Sequence, residues 1–366
     1  MQRRIAILGA SGAVGRALAG HILRAGLLQA GDELQLVGRG IPTNRRKLLA
    51  IRADLMDAFD DAEIRIEVVP DVSDVDADVV VIAAGVTAAS PKQTRRDLAT
   101  VNHAIFERIA DQCIARLSKA LFIVVSNPVE LAVKIFSFAG DRKRVIGMGA
   151  EQDSLRYARA IATDLGVSRR NIRATVLGEH GDAMLPIWSS IEVTADDPQA
   201  AGRLSRLHSR SLEAPLPIRV ATLRTAVKRL LSEERTSEAY ALAQRALPDA
   251  RIFVEPSITF DRLHSTPNAT ANATFQYIAA ALTNDGRRLH GQVDLRGEVL
   301  GLHGVCGIPL TIRGNEWQSE ELDWLDSDEI RALKKSTQSI EEFITGTLID
   351  AVRAILPPES LRAIAD

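Results

Sequence analysis

This sequence of 366 residues is poor in cysteine, in net charge and in long apolar runs. Its two cysteines, Cys113 and Cys306, are too few for a disulfide framework, so we expect a cytoplasmic protein. The formal net charge of -2 gives no indication of a nucleic-acid or anionic-membrane partner. No stretch approaches the roughly 20 apolar residues that a membrane span needs, so no membrane partner is expected either.

The composition that remains is typical of a globular protein with two lobes. Hydrophobic residues make up 46% of the chain and charged residues 25%. A chain of this length is long for one core and suits two domains. We find no internal repeats or low-complexity tracts. We place the boundary near Gly147, which gives a first domain of residues 1–147 and a second of residues 148–366.

The first domain alternates short apolar runs, which predict strands, with amphipathic segments, which predict helices. The predicted strands span 4–8, 33–37, 64–69, 78–83 and 121–126, and the predicted helices span 14–25, 43–59 and 98–117. Runs such as DVVVIA at 78–83 are apolar almost throughout, as in strands that are buried on both faces. This alternation predicts an α/β fold with a parallel, doubly wound sheet.

The second domain has a different pattern. We predict a helix at 154–165, a strand at 172–177 and mostly helical structure between 196 and 255. Two strands joined by a glycine-containing turn are expected at 295–313, and a last helix at 328–355. Ser327 is the expected N-cap of that helix. This mixture predicts an α+β lobe.

A glycine motif lies between the first predicted strand and the first predicted helix. Gly9, Gly12 and Gly15 form G-x-x-G-x-x-G within ILGASGAVG. Glycine lets the backbone approach a pyrophosphate, and the start of the helix supplies free amides and a positive dipole end. Together with Ala13, these residues are expected to bind a dinucleotide in a Rossmann-type first lobe. The alternative is a tight turn without a ligand.

The end of the second strand bears on the choice of dinucleotide. It reads Val37-Gly38-Arg39-Gly40, without the carboxylate that usually binds the adenosine ribose hydroxyls. A carboxylate there would repel a 2′-phosphate. Its absence, with Arg39 adjacent and Arg45 and Arg46 nearby, favours NADP over NAD. In the alternative, Arg39 is a solvated loop residue and either cofactor is used.

Seven segments of the chain resemble the lactate/malate dehydrogenase family, and more closely its malate branch. They are GASGAVG (9–15), DLMDAF (54–59), VVIAAGV (80–86), TRRDLATVN (94–102), VVSNPVE (124–130), VIGMGAEQDSLR (145–156) and VLGEHGD (176–182). They follow the family's order at nearly its spacing, and the similarity is poorest between 195 and 265. The resemblance implies an oxidoreductase that transfers a hydride between NAD(P) and a small 2-hydroxy or 2-oxo acid. It also implies a homodimer or homotetramer. NADP-dependent malate dehydrogenases of chloroplast type have glycine at the position of Gly38, which again favours NADP.

Such a reaction needs a residue that moves a proton. Reduction of a 2-oxo acid leaves an alkoxide that must gain a proton, and the reverse reaction removes one. Histidine titrates near neutrality and suits both directions. His180, between the glycines of GEHGD, is therefore the expected catalytic residue, although a lone histidine is more often structural.

The resemblance assigns partners to this histidine. Asp153 would orient the imidazole, and Arg156 would grip the substrate carboxylate with its bidentate fork. The alternatives are an ordinary carboxylate at a helix N-terminus for Asp153 and a surface arginine for Arg156.

A lid segment before the long helix is expected to close over the substrate and to carry an arginine that polarises its carbonyl. The spacing to Asp97, Leu98 and Asn102 favours Arg95 over Arg96 for this role. The other residues that the resemblance assigns are Asn127 (substrate and nicotinamide), Asn102 and the backbone at Val125 (cofactor), and Thr270 (substrate pocket).

The lid also departs from the malate dehydrogenase pattern. Malate dehydrogenases have another arginine five or six positions before the one matched by Arg95, and it pairs with the second carboxylate of the substrate. This chain has Ala89 and Ser90 there, and a small neutral side chain cannot pair with a carboxylate. Lys92 could do so in a shifted lid, and Gln93 does not clearly match the glutamine of lactate dehydrogenases. We therefore expect a less usual 2-hydroxy or 2-oxo acid, with malate dehydrogenase proper as the alternative.

Two other classes remain open. An NAD-dependent glycosidase would need a metal held by cysteine and histidine, and neither cysteine lies in such a setting, so no metal is expected. A non-catalytic dinucleotide sensor would have no need of His180, Asp153, Arg156 and Arg95 together.

Overall fold

A computed structural model describes residues 2–87, 94–263 and 266–355. In this part of the chain, helices flank a mixed sheet of 11 strands. The strands are β1 (Arg4–Leu8), β2 (Glu33–Val37), β3 (Arg65–Val69), β4 (Val79–Ile82), β5 (Leu121–Val124), β6 (Val145–Gly147), β7 (Ile172–Gly178), β8 (Met184–Val193), β9 (Leu289–Arg296), β10 (His303–Arg313) and β11 (Glu316–Ser319). The helices are α1 (Ala13–Arg24), α2 (Pro42–Phe59), α3 (Arg95–Ile109), α4 (Val129–Ala139), α5 (Gly149–Leu165), α6 (Ala200–Ser211), α7 (Leu216–Ser232), α8 (Thr236–Arg245), α9 (Pro248–Leu263), α10 (Pro267–Thr283) and α11 (Ser327–Ile355).

The first half of the sheet is parallel, in the order β3-β2-β1-β4-β5-β6. Ile5 in the central strand β1 pairs with Leu34 on one side and Val79 on the other. Successive residues of β1 enter different cores, since Ile5 packs in one and Ala6 in the other. Both faces are therefore buried, and the predicted Rossmann-type, doubly wound sheet is confirmed.

The second half of the sheet is antiparallel and continues the first without a break. Gly147 of β6 pairs with Gln292 of β9, and β9, β10 and β7 follow side by side. The predicted turn between two strands joins β9 to β10, although β9 begins at Leu289 rather than Leu295. Helices pack beside these strands, so the predicted α+β lobe is also confirmed.

Several elements escaped the sequence patterns. Helix α4 was not predicted because it is rich in apolar residues, seven of its eleven residues are buried, and a short apolar segment cannot be assigned to a strand or a helix from its pattern alone. Strand β6 has three residues, too few to show a pattern. Strand β8, strand β11 and helix α10 were also missed.

Two helix starts differ from the predictions. Helix α5 begins at Gly149 rather than Ser154, so Asp153 lies inside the helix and not at its N-terminus. Ser327 is not the N-cap of α11. Asp326 caps it instead, since its Oδ1 accepts hydrogen bonds from the backbone amides of Asp328 and Glu329, both at 2.8 Å. The carboxylate of Glu329 in turn accepts from the amide of Asp326 at 3.1 Å, which completes a reciprocal cap.

The region predicted to be mostly helical contains α6, α7, α8 and part of α9. Helices α7, α8 and α9 enclose a small core of their own around Val227, Ala239 and Val254. Buried Asp249 of α9 accepts both terminal nitrogens of Arg219 of α7, at 2.7 and 2.6 Å. Across the described residues, no helix is both long enough and apolar enough to cross a membrane.

Candidate active site

The carboxyl ends of β1, β4 and β5 meet at one edge of the sheet, where parallel sheets have their ligand crevice. Two clefts adjoin there and share Ala83, Gly85 and Val86 in their walls. The glycine-loop cleft, of about 440 Å³, is also lined by Gly9, Ser11, Gly12, Gly38, Arg39, Asn44 and Arg108. The histidine cleft, of about 410 Å³, is also lined by Val125, Asn127, Gln152, Arg156, His180, Thr266 and Thr270.

The turn after β1 requires glycine. Gly9 has φ +84°, and a Cβ on it would overlap the carbonyl oxygen of Ala83. A Cβ on Gly15 would lie 2.5 Å from the carbonyl oxygen of Gly9, so α1 packs directly on the loop. Gly12 precedes α1, and Ala13 is its first residue. A close backbone approach at a helix N-terminus is the setting that a pyrophosphate needs, so these residues fit a dinucleotide.

Gly38 at the end of β2 faces the side chain of Asn44. A Cβ on Gly38 would overlap Oδ1 of Asn44. This amide donates from Nδ2 to Ser11 Oγ at 3.0 Å, and its Oδ1 accepts from the backbone amide of Arg39 at 2.9 Å. Asn44 thus joins the glycine loop to the end of β2. The sequence reasoning missed it, because only the fold brings α2 to this place.

His180 and Asp153 lie in direct contact. His180 Nδ1 and Asp153 Oδ2 are 2.6 Å apart, and Nη1 of Arg156 donates to the other oxygen, Oδ1, at 3.0 Å. Asp153 and Arg156 lie one turn apart in α5, whereas His180 lies in the loop after β7. The Asp153 side chain is only 3% exposed, and that of His180 is 18% exposed. The contact at Nδ1 leaves Nε2 as the ring nitrogen available to the cleft.

The surroundings of this pair favour its charged form. Burial opposes the imidazolium, but the charge and hydrogen bond of Asp153 and the charge of Glu130 outweigh it and raise the pKa of His180. Burial likewise opposes the carboxylate of Asp153, yet His180 and Arg156 together lower the pKa of that carboxyl. The imidazolium and the carboxylate therefore stabilise each other in this buried pair.

The start of α5 provides the space for the ring. A Cβ on Gly149 would overlap the ring carbon Cγ of His180. Glycine at this position therefore lets the imidazole lie against the helix backbone.

Two glutamates that the sequence reasoning overlooked lie behind His180. Glu130, in the first turn of α4, is fully buried. Its Oε1 accepts the backbone amide of His180 at 2.6 Å, and its Oε2 accepts Nη2 of Arg95 at 2.5 Å. Glu179 is also buried and pairs with Nη1 of Arg95.

Arg95 therefore lies between two carboxylates at the start of α3. Its guanidinium also stacks over the ring of Phe343 in α11, with 4.4 Å between Cζ and the ring centroid. Arg95 is not part of the wall of the histidine cleft in the described residues. The role in polarising a substrate carbonyl stays a prediction.

The other predicted residues divide into two groups. Asn127 and Val125 follow β5 and line the histidine cleft. Asn102 is fully buried and lines neither cleft in the described residues. Its Oδ1 accepts the amide of Val86 at 2.7 Å, and its Nδ2 donates to the carbonyl of Asn127 at 2.7 Å. Asn102 thus joins two segments that line the clefts, and its predicted contact with the cofactor stays a prediction.

Other polar side chains, most of them not predicted from the sequence, also line the histidine cleft. Thr270 was predicted there and does line it. Gln152 donates from Nε2 to Thr266 Oγ1 at 3.0 Å, and Nη2 of Arg156 donates to the same hydroxyl at 3.2 Å. In the described part of the wall, Arg156 is the only lysine or arginine.

Some predictions fall elsewhere. Ala89, Ser90, Lys92 and Gln93 lie outside the described residues.

Cys113 and Cys306 are both buried, and burial raises the pKa of their thiols to about 11 and about 12, so neither thiol is readily deprotonated. A search of the described residues finds no group of three or more histidine, cysteine, aspartate or glutamate side chains that could hold a metal ion.

Two family models match the chain. The NAD binding domain of lactate/malate dehydrogenase matches residues 3–147, and the alpha/beta C-terminal domain of lactate/malate dehydrogenase matches residues 151–212. Helices α7 and α8 thus lie beyond the matched ranges.

Proteins of other organisms are similar to this chain. An L-2-hydroxycarboxylate dehydrogenase (NAD(P)(+)) of Methanocaldococcus jannaschii is 27% identical over 348 residues, which cover 93% of this chain and 97% of that protein. A malate dehydrogenase of Haloarcula marismortui is 33% identical over 202 residues, 54% of this chain and 64% of that enzyme. The structure of the malate dehydrogenase from Aeropyrum pernix superposes with a TM-score of 0.73 at 24% identity, over 97% of this chain and 99% of that one. At this identity the likeness shows a common fold.

Proposed function

Because this chain belongs to the lactate/malate dehydrogenase family and is an NAD(P)-dependent 2-hydroxy acid dehydrogenase, we propose that it interconverts a 2-oxo monocarboxylic acid and its 2-hydroxy acid. One observation carries this proposal: His180, Asp153 and Arg156 contact one another in a cleft that adjoins the glycine loop. A proton donor and a carboxylate-binding arginine thereby lie side by side, as reduction of a 2-oxo acid requires.

His180 is the proposed acid and base. The nicotinamide, when bound, supplies or accepts the hydride at the substrate C2. In reduction, His180 gives the proton on Nε2 to the oxygen that becomes the hydroxyl. In oxidation, the neutral ring takes it back. Asp153 fixes the ring through Nδ1 and stabilises the imidazolium.

Arg156 and Asn127 are the proposed substrate-binding residues. Asp153 and Thr266 each hold one terminal nitrogen of Arg156, at 3.0 and 3.2 Å, which sets the plane of its guanidinium. A carboxylate that meets this fork is held in two places, and its 2-oxo group is then oriented toward His180. Asn127 would hydrogen-bond the substrate from the other wall of the cleft.

The proposed substrate class follows from charge. Arg156 is the only lysine or arginine in the described wall of the histidine cleft. One cation suits one carboxylate, because a second buried carboxylate without a partner costs several kcal/mol. The cleft is also lined by the apolar side chains of Val14, Leu98 and Met148, which suit an uncharged substituent at C3.

Malate dehydrogenase proper is the second candidate. The similarity to the Haloarcula marismortui enzyme favours it, and Lys92 could supply the second cation from the lid. A kinetic panel of 2-oxo acids separates the two candidates. We expect pyruvate analogues with larger apolar substituents to give a higher kcat/KM than oxaloacetate. An oxaloacetate kcat/KM above all monocarboxylates would establish the second candidate. A His180→Asn variant with undiminished turnover would remove His180 from its role in either.

For the cofactor we propose NADP, with NAD also accepted. Gly38 carries no carboxylate to repel a 2′-phosphate, and Arg39 and Arg108 both line the glycine-loop cleft. Asn44, which is neutral, lies where a carboxylate at position 38 would otherwise point. It can donate to a ribose hydroxyl or to a phosphate, which is compatible with both cofactors. Comparison of kcat/KM for NADPH and NADH tests this preference.

Three further expectations remain proposals. The division into residues 1–147 and 148–366 places the glycine loop in the first domain and His180 in the second. A homodimer or homotetramer would cover the apolar side chains that α2 exposes, among them Leu49 and Met56, and sedimentation velocity would test this. The cytoplasmic location stays a prediction from the cysteine content.

A further inference from the structure

A fully buried glutamate behind the active-site histidine has no assigned role in the proposed reaction. Glu130 shows no solvent-exposed surface, and carboxylates are almost never buried in this way without partners. It lies in the first turn of α4, where the helix dipole favours a negative charge. Removal of a carboxylate from water costs several kcal/mol, so its two contacts must compensate.

Those two contacts join separate parts of the site. One oxygen of Glu130 accepts the backbone amide of His180, 50 residues away in the chain. The other accepts Nη2 of Arg95 at the start of α3. Glu130 also lies in the first turn of the helix that directly follows Asn127 and Pro128. Glu130 therefore connects the histidine loop, the start of α3 and the strand end that carries Asn127.

We propose that Glu130 is a positioning residue for proton transfer: one of its oxygens holds the backbone of His180 so that the imidazole stays between Asp153 and the substrate, and the other pairs with Arg95. This inference rests on the proposed function of His180. It gives Arg95 a contribution in the absence of substrate, since this guanidinium pairs with both Glu130 and Glu179.

The charges around the ring support this role. The groups that face His180 are Asp153 and Arg156 from α5 and Glu130 from α4, and Glu179 and Arg95 lie directly behind them. Of these, Glu130 is the carboxylate that touches the histidine backbone without touching its ring. It can thus act on the position and the charge of the imidazole while Asp153 keeps its own hydrogen bond to Nδ1. The thiol of Cys306 also faces Glu130, and it is neutral because burial raises its pKa to about 12.

The test uses Glu130→Gln and Glu130→Asp in the full-length enzyme. Glutamine keeps the size but loses the charge. We expect kcat for 2-oxo acid reduction to fall roughly tenfold, with an unchanged KM for the cofactor. We also expect the fall in kcat/KM at rising pH to occur at a pH lower by roughly half a unit to one unit. Aspartate keeps the charge but is one methylene shorter, so kcat falls while the pH profile stays in place.

The matched control is Glu298→Gln. Glu298 is another partly buried glutamate paired with an arginine, Arg142, and it is remote from the histidine cleft. We expect it to lose stability without any change in the pH profile. If Glu130 had a purely structural role, Glu130→Gln would likewise lose stability without any change in the pH profile. An unchanged pH profile and unchanged kcat in Glu130→Gln would therefore overturn the proposal, as would full turnover in Glu130→Asp if the glutamine variant does not fold.

A second readout separates this inference from the proposed function. NMR titration of 13C-labelled histidine follows His180 without turnover, with His180→Asn to assign its signal. If the unchanged enzyme reduces no 2-oxo acid, the proposed function fails. A lower pKa of His180 in Glu130→Gln would even then support the influence of Glu130 on His180. If the enzyme is active and the titration of His180 is the same in both proteins, the positioning role fails alone.

Discussion

At the scale of single residues, the site depends on the charge of Asp153. Burial opposes the protonated imidazole, but this carboxylate and Glu130 together outweigh burial. In the folded protein the pKa of His180 therefore lies above its ordinary value, and reduction should decline only as the pH rises through that raised pKa. The same shift stabilises the fold at low pH, and this contribution is lost as the pH rises through the folded pKa.

Asp153→Asn tests this charge. We expect kcat for reduction to fall on the order of a hundredfold, and the decline of kcat/KM with pH to begin at a lower pH than in the unchanged enzyme. Steady-state kinetics from pH 5.5 to 9.5 measures both. Asp182→Asn is the control, since Asp182 lies in the same loop with its side chain 82% exposed. A pH profile that moves in the control and not in Asp153→Asn would contradict the assignment.

Gly149 gives a second prediction at this scale. A methyl group there would overlap the imidazole of His180, so Gly149→Ala should displace the ring from Asp153 and reduce kcat at least tenfold. Gly20→Ala in α1 is the control, because a Cβ at Gly20 meets nothing within 4 Å. It should keep full activity and gain about 0.5–1 kcal/mol in the free energy of unfolding. Equal activities of the two variants would show that the ring has room to move.

The sequence predicted one part of the site and not another. His180 could be recognised because a proton shuttle needs histidine and the motif around it is characteristic. Glu130, Asn44 and Gln152 could not, because their roles arise from contacts between elements that lie far apart in the chain. A buried carboxylate and a surface carboxylate look the same in a sequence.

At the scale of elements, strands buried on both faces were predicted best. The run at 78–83 contains β4 and the run at 121–126 contains β5, since such strands show continuous apolar sequence. Helix α4 was missed for a related reason, because a short apolar run can be a buried strand or a buried helix and its pattern alone does not decide between them.

The cap of α11 gives a prediction at this scale. Asp326→Ala should lower the free energy of unfolding by about 1 kcal/mol, because two backbone amides lose their acceptor. Ser327→Ala should change it by less than about 0.5 kcal/mol, since Ser327 is the first helical residue and its side chain is exposed. Urea unfolding of the two variants measures the difference. If Ser327→Ala lost more free energy of unfolding than Asp326→Ala, Ser327 would be the N-cap of α11.

At the scale of the whole molecule, the two halves form one structure. The family resemblance, the α/β fold and the dehydrogenase class that the sequence predicted are all confirmed. One core contains Ile5 and Ile7 from the first half together with Val293, Trp317 and Leu333 from the second. The sheet also crosses the boundary between β6 and β9. Neither feature could be predicted from local patterns, because both depend on contacts between distant segments.

This shared core predicts that the chain unfolds in a single cooperative step. The three tryptophans, Trp188, Trp317 and Trp324, all lie in the second half, whereas the glycine loop lies in the first. NADPH at about 100 times its Kd should therefore stabilise the protein by about 2.7 kcal/mol, and tryptophan fluorescence should report this gain.

Gly15→Ala should abolish the gain, because its Cβ would lie 2.5 Å from the carbonyl oxygen of Gly9 in the phosphate-binding turn. Gly20→Ala, one turn further along α1, should retain it. If NADPH instead stabilised only a separate transition that leaves the tryptophan signal unchanged, the halves would unfold independently, and the shared core would contribute little to their coupling.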